Sequence, residues 1–214
     1  MNSNTPLLSS AYLPPVSYMA IVSGHSRVII ERDENYKKQS YRNRCCIMSA
    51  NGVLALSVPV LRGSFHKVAL SDIEVDYSGR WIDVHRAALI SAYRRSPFFD
   101  FYFDQLLSVI EQRPKKLIEL NHGLLIKIIE LTGIKSSVEF SNSFIRPAGD
   151  PSDFRYIIDP KRDYISSFHL PPYIQVFESR YGFVPDLSIV DLLFNMGPET
   201  ASYLAGVITA GSSE

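Results

Sequence analysis

Asn43-Arg44-Cys45-Cys46-Ile47-Met48-Ser49-Ala50-Asn51-Gly52-Val53-Leu54-Ala55-Leu56-Ser57-Val58-Pro59-Val60 is the stretch on which the reading of this chain turns. Asn-Gly between two β-prone runs is the strongest short-range hairpin signal, because both turn residues must accept positive φ. Centring the turn there sets Ser49 against Leu54, Ile47 against Leu56, Cys45 against Val58 and Asn43 against Val60. Side chains alternate along a strand, so Asn43, Cys45, Ile47, Leu54, Leu56, Val58 and Val60 share one face. Arg42, Arg44, Cys46 and Ser57 share the other. The first face reads as core. The second holds two guanidinium groups on a stiff support, which suits a carboxylate or phosphate.

Before the hairpin, residues 7–11 read as a short strand, Pro14-Pro15 as a breaker, 16–23 as a helix stopped at Gly24, and 27–31 as a β-branched buried strand. Strand, helix, strand predicts a right-handed βαβ unit with parallel strands. Ligands collect beyond the carboxyl ends of such strands, here residues 9–15 and 31–36. After the hairpin, 68–77 reads as a strand. Helices are predicted over 80–94, 98–113 and 116–132, the last stopped by Gly133. A strand at 138–141 precedes a polar, irregular tract over 142–172, a length more often functional or mobile than ordinary. Residues 173–177 read as strand-like and 188–194 as a helix capped by Ser188. Pro198 opens a last short helix, and 211–214 should fray. The expected class is α/β over one domain, 1–214: a mixed sheet from the βαβ unit and the hairpin, covered by the helical middle.

Composition narrows the options. The chain has 214 residues, 46% of them hydrophobic, and Lys+Arg and Asp+Glu cancel at 22 each. No global field therefore draws it to nucleic acid or to an acidic membrane. The only cysteines, Cys45 and Cys46, are neighbours, and a bridge between them would be strained. That usage fits a reducing compartment. No signal peptide is evident, and no run approaches the ~20 apolar residues of a membrane span. A cytosolic protein is expected.

Several motifs carry a resemblance. Tyr36-x-Lys38-x-Ser40-Tyr41-x-Asn43-Arg44, Leu56-Ser57-Val58-Pro59-Val60, Trp81-x-x-x-His85, Ala92-Tyr93, Ser96-Pro97-Phe98-Phe99 and Leu117-x-x-x-Asn121 resemble the WbqC-like family in order and spacing, in its Bacteroidetes-type form. So does the run from Pro185 to Asn195. The resemblance implies a part in O-antigen or other surface-polysaccharide assembly, with glycine transfer suggested for some members. Where the family opens with Gln-Pro, this chain has Ser9-Ser10.

Arg44, with Arg42, is the expected clamp for an anionic substrate; the plainer reading is a polar sheet face paired with nearby acids. Asn43 falls on the core face and would orient substrate only in another register. His85 sits among Trp81, Ala88 and Leu89, where a histidine usually packs, yet imidazole is a common general base. Asp33 and Glu34 follow a strand end, a favoured place for an acid that grips a hydroxyl, a ribose or a metal, and Asp33 could take a proton; the plainer reading is a solvated turn. Tyr36 and Lys38 would add polar contacts beside them. Tyr12, Tyr18 and Gln175 could line a pocket or serve the core equally well. The remaining histidines (His25, His66, His122, His169) show no metal-ligand spacing, so no metal is expected.

Two functions follow. One is a transferase moving an aminoacyl group to an amino sugar on a nucleotide or lipid carrier, with no cofactor identified and the activated acyl donor unknown. The other is a non-catalytic protein of the same pathway that binds a sugar nucleotide or a partner enzyme. A weaker likeness to the opening of nucleotidyl-transferring α/β enzymes lacks their histidine signature, since Ser17-Tyr18 stands in its place.

Overall fold

β1 (Leu7–Ser9) and β2 (Arg27–Glu31) run parallel, joined through α1 (Val16–Ser23), as a computed structural model of the chain describes it over residues 5–61, 68–147 and 149–209. His66 and residues 211–214 lie outside the described residues. Seven of the eight residues of α1 are buried, and all but Ser17 of these are apolar or aromatic, so the helix has no solvent-facing polar side and belongs inside. It has no cap of its own. Asp186 supplies one from the far end of the chain, accepting the Ser17 N–H at 2.7 Å and the Ser17 hydroxyl at 3.0 Å, a carboxylate against the positive end of the helix dipole.

β3 (Arg44–Ser49) and β4 (Gly52–Ser57) form the hairpin. Its register is two residues tighter than expected: Ser49 faces Gly52, Ile47 faces Leu54 and Cys45 faces Leu56. Gly52 takes the positive φ (102°), leaving Ala50-Asn51 as the loop. A slip of two preserves the faces. Cys45, Ile47, Leu56 and Val58 are accordingly buried, while Leu54 near the tip is exposed. The hairpin is a separate two-stranded sheet and does not extend the parallel one.

Residues 68–77 correct an expectation. Instead of a strand they form a 3₁₀ turn at Leu70–Asp72 flanked by single bridges, Asn35 to Ala69, Val60 to Val75 and Glu74 to Lys116. The segment is a brace between three elements, and that irregular pairing breaks its alternation. α2 (Trp81–Tyr93), α3 (Phe99–Glu111) and α4 (Leu117–Thr132) follow as read. Gly133, at φ 71°, ends α4 in the left-handed conformation that glycine adopts without strain. β5 (Ser137–Phe140) then pairs parallel with β2, giving the order β1-β2-β5.

The tract 142–172 is mostly irregular, with a two-residue strand, β6 (Phe168–His169), that pairs with β7 (Ile208–Thr209). Residues 173–177 are not a strand; they lead into α5 (Glu178–Tyr181). The side chain of Gln175 is drawn into the core there, where it bonds the backbone of Val184. α6 (Ile189–Met196) and α7 (Thr200–Ala205) close the core. Between them a Cβ on Gly197 would stand 2.4 Å from the Phe98 ring, so only glycine fits. The α/β architecture of βαβ unit, hairpin and helical middle thus holds. Among the described residues no helix is long and apolar enough to cross a membrane.

Candidate functional site

The carboxyl ends of β1 and β2 deliver Ser9 and Glu31 to one edge of the parallel sheet. Two loops complete that edge. The first, after β2, carries Glu34, Lys37, Ser40 and Arg42. The second, residues 150–159, is tied to β1 by the Leu7 N–H to the Ser152 carbonyl and the Phe154 N–H to the Leu7 carbonyl, both 2.9 Å. It brings Asp153, Arg155, Tyr156 and Asp159.

Two buried ion pairs lie here side by side. Arg42 grips Glu34 as a fork, Nε to Oε1 at 2.9 Å and Nη2 to Oε2 at 2.5 Å, and its Nη2 also reaches the Ser9 hydroxyl at 2.8 Å. Burial pushes the Glu34 carboxyl up, and the Arg42 guanidinium opposes it. Arg155 forks onto Asp153 at 2.8 and 2.6 Å while its Nη1 meets Glu31 at 3.3 Å and the Ile145 carbonyl at 2.8 Å. The side chains of Glu31 and Arg155 are both 0% exposed. Glu31 further accepts the Ser141 hydroxyl and the N–H groups of Asp33 and Ile145, so its oxygens are fully used. Charges this deep persist only when paired and hydrogen-bonded.

Above them opens a cavity of about 200 Å³ lined by Glu34, Lys37, Arg42, Phe144, Arg155, Tyr156 and Asp159, with Asn35. Lys37 pairs with Asp159 across its wall. Burial works to raise the Asp159 carboxyl, but the Lys37 ammonium and the Lys161 N–H hold it below its ordinary value. Phe144 and Tyr156 flank the Arg155 guanidinium at 5.7 and 5.3 Å from their ring centres and remain 44% and 41% exposed. The site therefore combines a floor of fixed donors and acceptors with two aromatic faces at the rim.

The residues singled out from the sequence scatter around this edge. Arg42 lines the cavity; Arg44 does not. Arg42 precedes β3, inside a turn where Gln39 takes φ 56° and the Asn43 N–H meets the Ser40 carbonyl, so strand alternation does not link the two arginines. Arg44 pairs in register with Ser57, half-buried, its Nε without a hydrogen-bond partner among the described residues. Asn43 donates to the Val58 carbonyl at 3.0 Å, across the base of the hairpin. Asp33 accepts from the Ser71 hydroxyl at 3.2 Å and lies 3.6 Å from Arg32; it is not among the cavity residues. Tyr36 is buried and Lys38 exposed. The Tyr18 hydroxyl donates to the Ser9 carbonyl at 3.0 Å, beneath the cluster. Gln175 lies elsewhere, donating to the Asp191 carboxylate at 2.9 Å.

His85 is buried under Trp81, rings 5.1 Å apart edge to face, with Nδ1 2.9 Å from the hydroxyl of fully buried Tyr12. Burial pushes its pKa down to about 4, with the Ser57 backbone acting in the opposite sense. In the unfolded chain imidazole titrates near ~6.5. Between these values the unfolded chain binds a proton that the folded one does not, so stability rises with pH. The contribution is complete above ~6.5 and falls by about 3 kcal/mol as pH drops towards 4. Urea unfolding at pH 7 and 4.5 should show this loss, with a shallower dependence in His85→Gln. An NMR titration that places His85 near its ordinary value would contradict the burial account.

What sequence reasoning missed are Arg155, Tyr156 and Asp159; Glu31 fell within the strand-end stretch 31–36 that it marked, without a role. The only signal was the length of the polar tract and, within it, an arginine between two aromatics, Phe154-Arg155-Tyr156.

Fold and site together define an α/β protein with an ion-paired polar cavity at the carboxyl end of a small parallel sheet. The family model described as WbqC-like protein family matches residues 9–159, and the chain belongs to that family. The match begins at Ser9 and ends at Asp159, both in the cluster; the run from Pro185 to Asn195 lies outside it. The uncharacterized protein Rv1507c of Mycobacterium tuberculosis (strain ATCC 25618 / H37Rv) is 28% identical over 225 aligned positions, covering 92% of this chain and 96% of the relative. No solved structure gives a significant match.

Proposed function

We propose that the protein is a transferase of surface-polysaccharide assembly whose sheet-end cavity holds an amino sugar, carried on a nucleotide or lipid, for aminoacyl or glycyl transfer. The observation that supports this most is the pairing of Phe144 and Tyr156 with the ionic floor. Sugar rings offer apolar C–H faces to aromatics and hydroxyls to carboxylates and guanidinium groups. In the reaction the sugar amine attacks the donor's acyl carbon. A C–N bond forms, the bond to the leaving group breaks, the leaving group departs with that electron pair, and the amine loses its proton. Asp159 is the better-placed acceptor of that proton, because it lines the cavity where His85 and Asp33 do not. Lys37, half-exposed beside it, is positioned to stabilise the developing oxyanion. Arg42 and Arg155 keep the floor rigid.

A second reading, a non-catalytic sugar-nucleotide or partner-binding protein, is favoured by one feature: both carboxylates on the cavity wall, Glu34 and Asp159, are held in ion pairs. Incubation with nucleotide-linked amino sugars and a panel of aminoacyl thioesters and adenylates separates the two. The transferase reading expects turnover, reduced by about 10²-fold or more in Asp159→Asn with sugar binding retained. Binding without turnover for every donor supports the second reading. Absence of both overturns the site.

A further inference from the structure

We propose that the cleft between the start of α2 and the end of α3 is a second ligand site, one that takes a diphosphate group. At about 320 Å³ it is larger than the sheet-end cavity and shares no lining residue with it. Tyr77, Arg80, Asp83, Arg86, Glu111 and Arg113 converge on it. Asp83 serves two arginines, Arg80 at 3.2 Å and Arg86 at 3.0 Å, and Arg86 also pairs with Glu111. Three guanidinium groups against two carboxylates leave one positive charge uncompensated.

That surplus is held in place. Arg113 makes no ion pair among the described residues and lies 5.9 Å from the centre of the Tyr77 ring. The Tyr77 hydroxyl donates to the Pro114 carbonyl at 2.9 Å and the ring packs on Trp81, so the surface beneath Arg113 is fixed. α2 also starts beside this cleft without a side-chain cap, so the positive end of a 13-residue helix dipole lies near it. Among the described residues beyond its chain neighbours, nothing stands within 4 Å of where a Cβ on Gly79, one of the lining residues, would sit.

Arginine forks match phosphate oxygens two at a time, and the exposed pairs they leave are worth little. Arg80, 87% exposed, can therefore exchange Asp83 for a phosphate at small cost. Several guanidinium groups around a concave cleft suit a compact polyanion. The interleaved acids disfavour an extended one such as nucleic acid.

The test is titration of inorganic pyrophosphate into the full chain in magnesium-free buffer at constant ionic strength, followed by backbone amide NMR. Saturable shifts at Gly79, Arg80 and Ile82 are expected, with affinity at least tenfold weaker in the Arg80→Ala/Arg113→Ala double variant. Both side chains are exposed, and an unchanged melting temperature checks that the variant folds. Shifts that do not saturate, equal affinity in the double variant, or sulfate binding as tightly at the same ionic strength would each overturn the assignment.

Discussion

Arg155→Ala should destabilise the fold by about 3–5 kcal/mol, because truncating one partner of a buried ion pair leaves the others charged and unsolvated. Here two carboxylates are stranded at once, Asp153 and Glu31, and the Ile145 carbonyl loses its donor. For a chain of this size such a change lowers Tm by roughly 6–20 °C. An internal control is available. Arg27 and Glu139 make an equally short contact, 2.6 Å, but both side chains are 51% exposed. Arg27→Ala should cost under about 1 kcal/mol, since water screens exposed pairs. Chemical unfolding of both variants checks the contrast. Equal, small effects would mean that the cluster beneath the cavity is not the tightly packed, water-excluding floor described above.

In the proposed function the rigidity of that floor has a purpose. A sugar would make many weak polar contacts there, and their combined worth depends on groups already held in place before binding. The two forks do this without spending the exposed aromatic faces, which stay available at the rim.

How much of this was legible in the sequence follows from which physical signal each part carried. The βαβ unit could be read because Leu7-Leu8, the 16–22 segment, apolar but for Ser17 and the hydroxyl of Tyr18, and Val28-Ile29-Ile30 are buried runs separated by Pro14-Pro15 and Gly24. The three middle helices could be read from their 3.6-residue period. The faces of the hairpin survived an error in its register because the error was an even number of residues. Residues 68–77 misled because alternation alone does not distinguish a strand from a brace that makes single bridges to three partners.

The cavity was legible in place and not in its lining. Its position at the carboxyl ends of parallel strands followed from topology, and Arg42, expected as a ligand, is among the residues that line it. Arg44 was expected beside Arg42 because alternation was carried back past the start of β3, into a turn where it no longer applies. Asp153, Arg155, Tyr156 and Asp159 come from an irregular tract more than a hundred residues away, joined to β1 by backbone hydrogen bonds that no periodicity announces. His85 looked chemical because imidazole often is. The helical period already set it beside Trp81; its other partner, the Tyr12 hydroxyl, is visible only in three dimensions.

The second large effect expected is on binding. Tyr156→Ala removes an aromatic face from the rim but no member of either fork, so it should leave Tm nearly unchanged while weakening an amino-sugar nucleotide by tenfold or more, about 1.4 kcal/mol. Isothermal titration of a nucleotide-linked amino sugar into wild type and Tyr156→Ala is the most direct measurement of the claim that this edge of the sheet is the sugar site. The account predicts measurable affinity in the wild type and at least a tenfold loss in a variant that is still fully folded. Equal affinity in the two proteins, or no binding by a folded wild type to any such nucleotide, would contradict it.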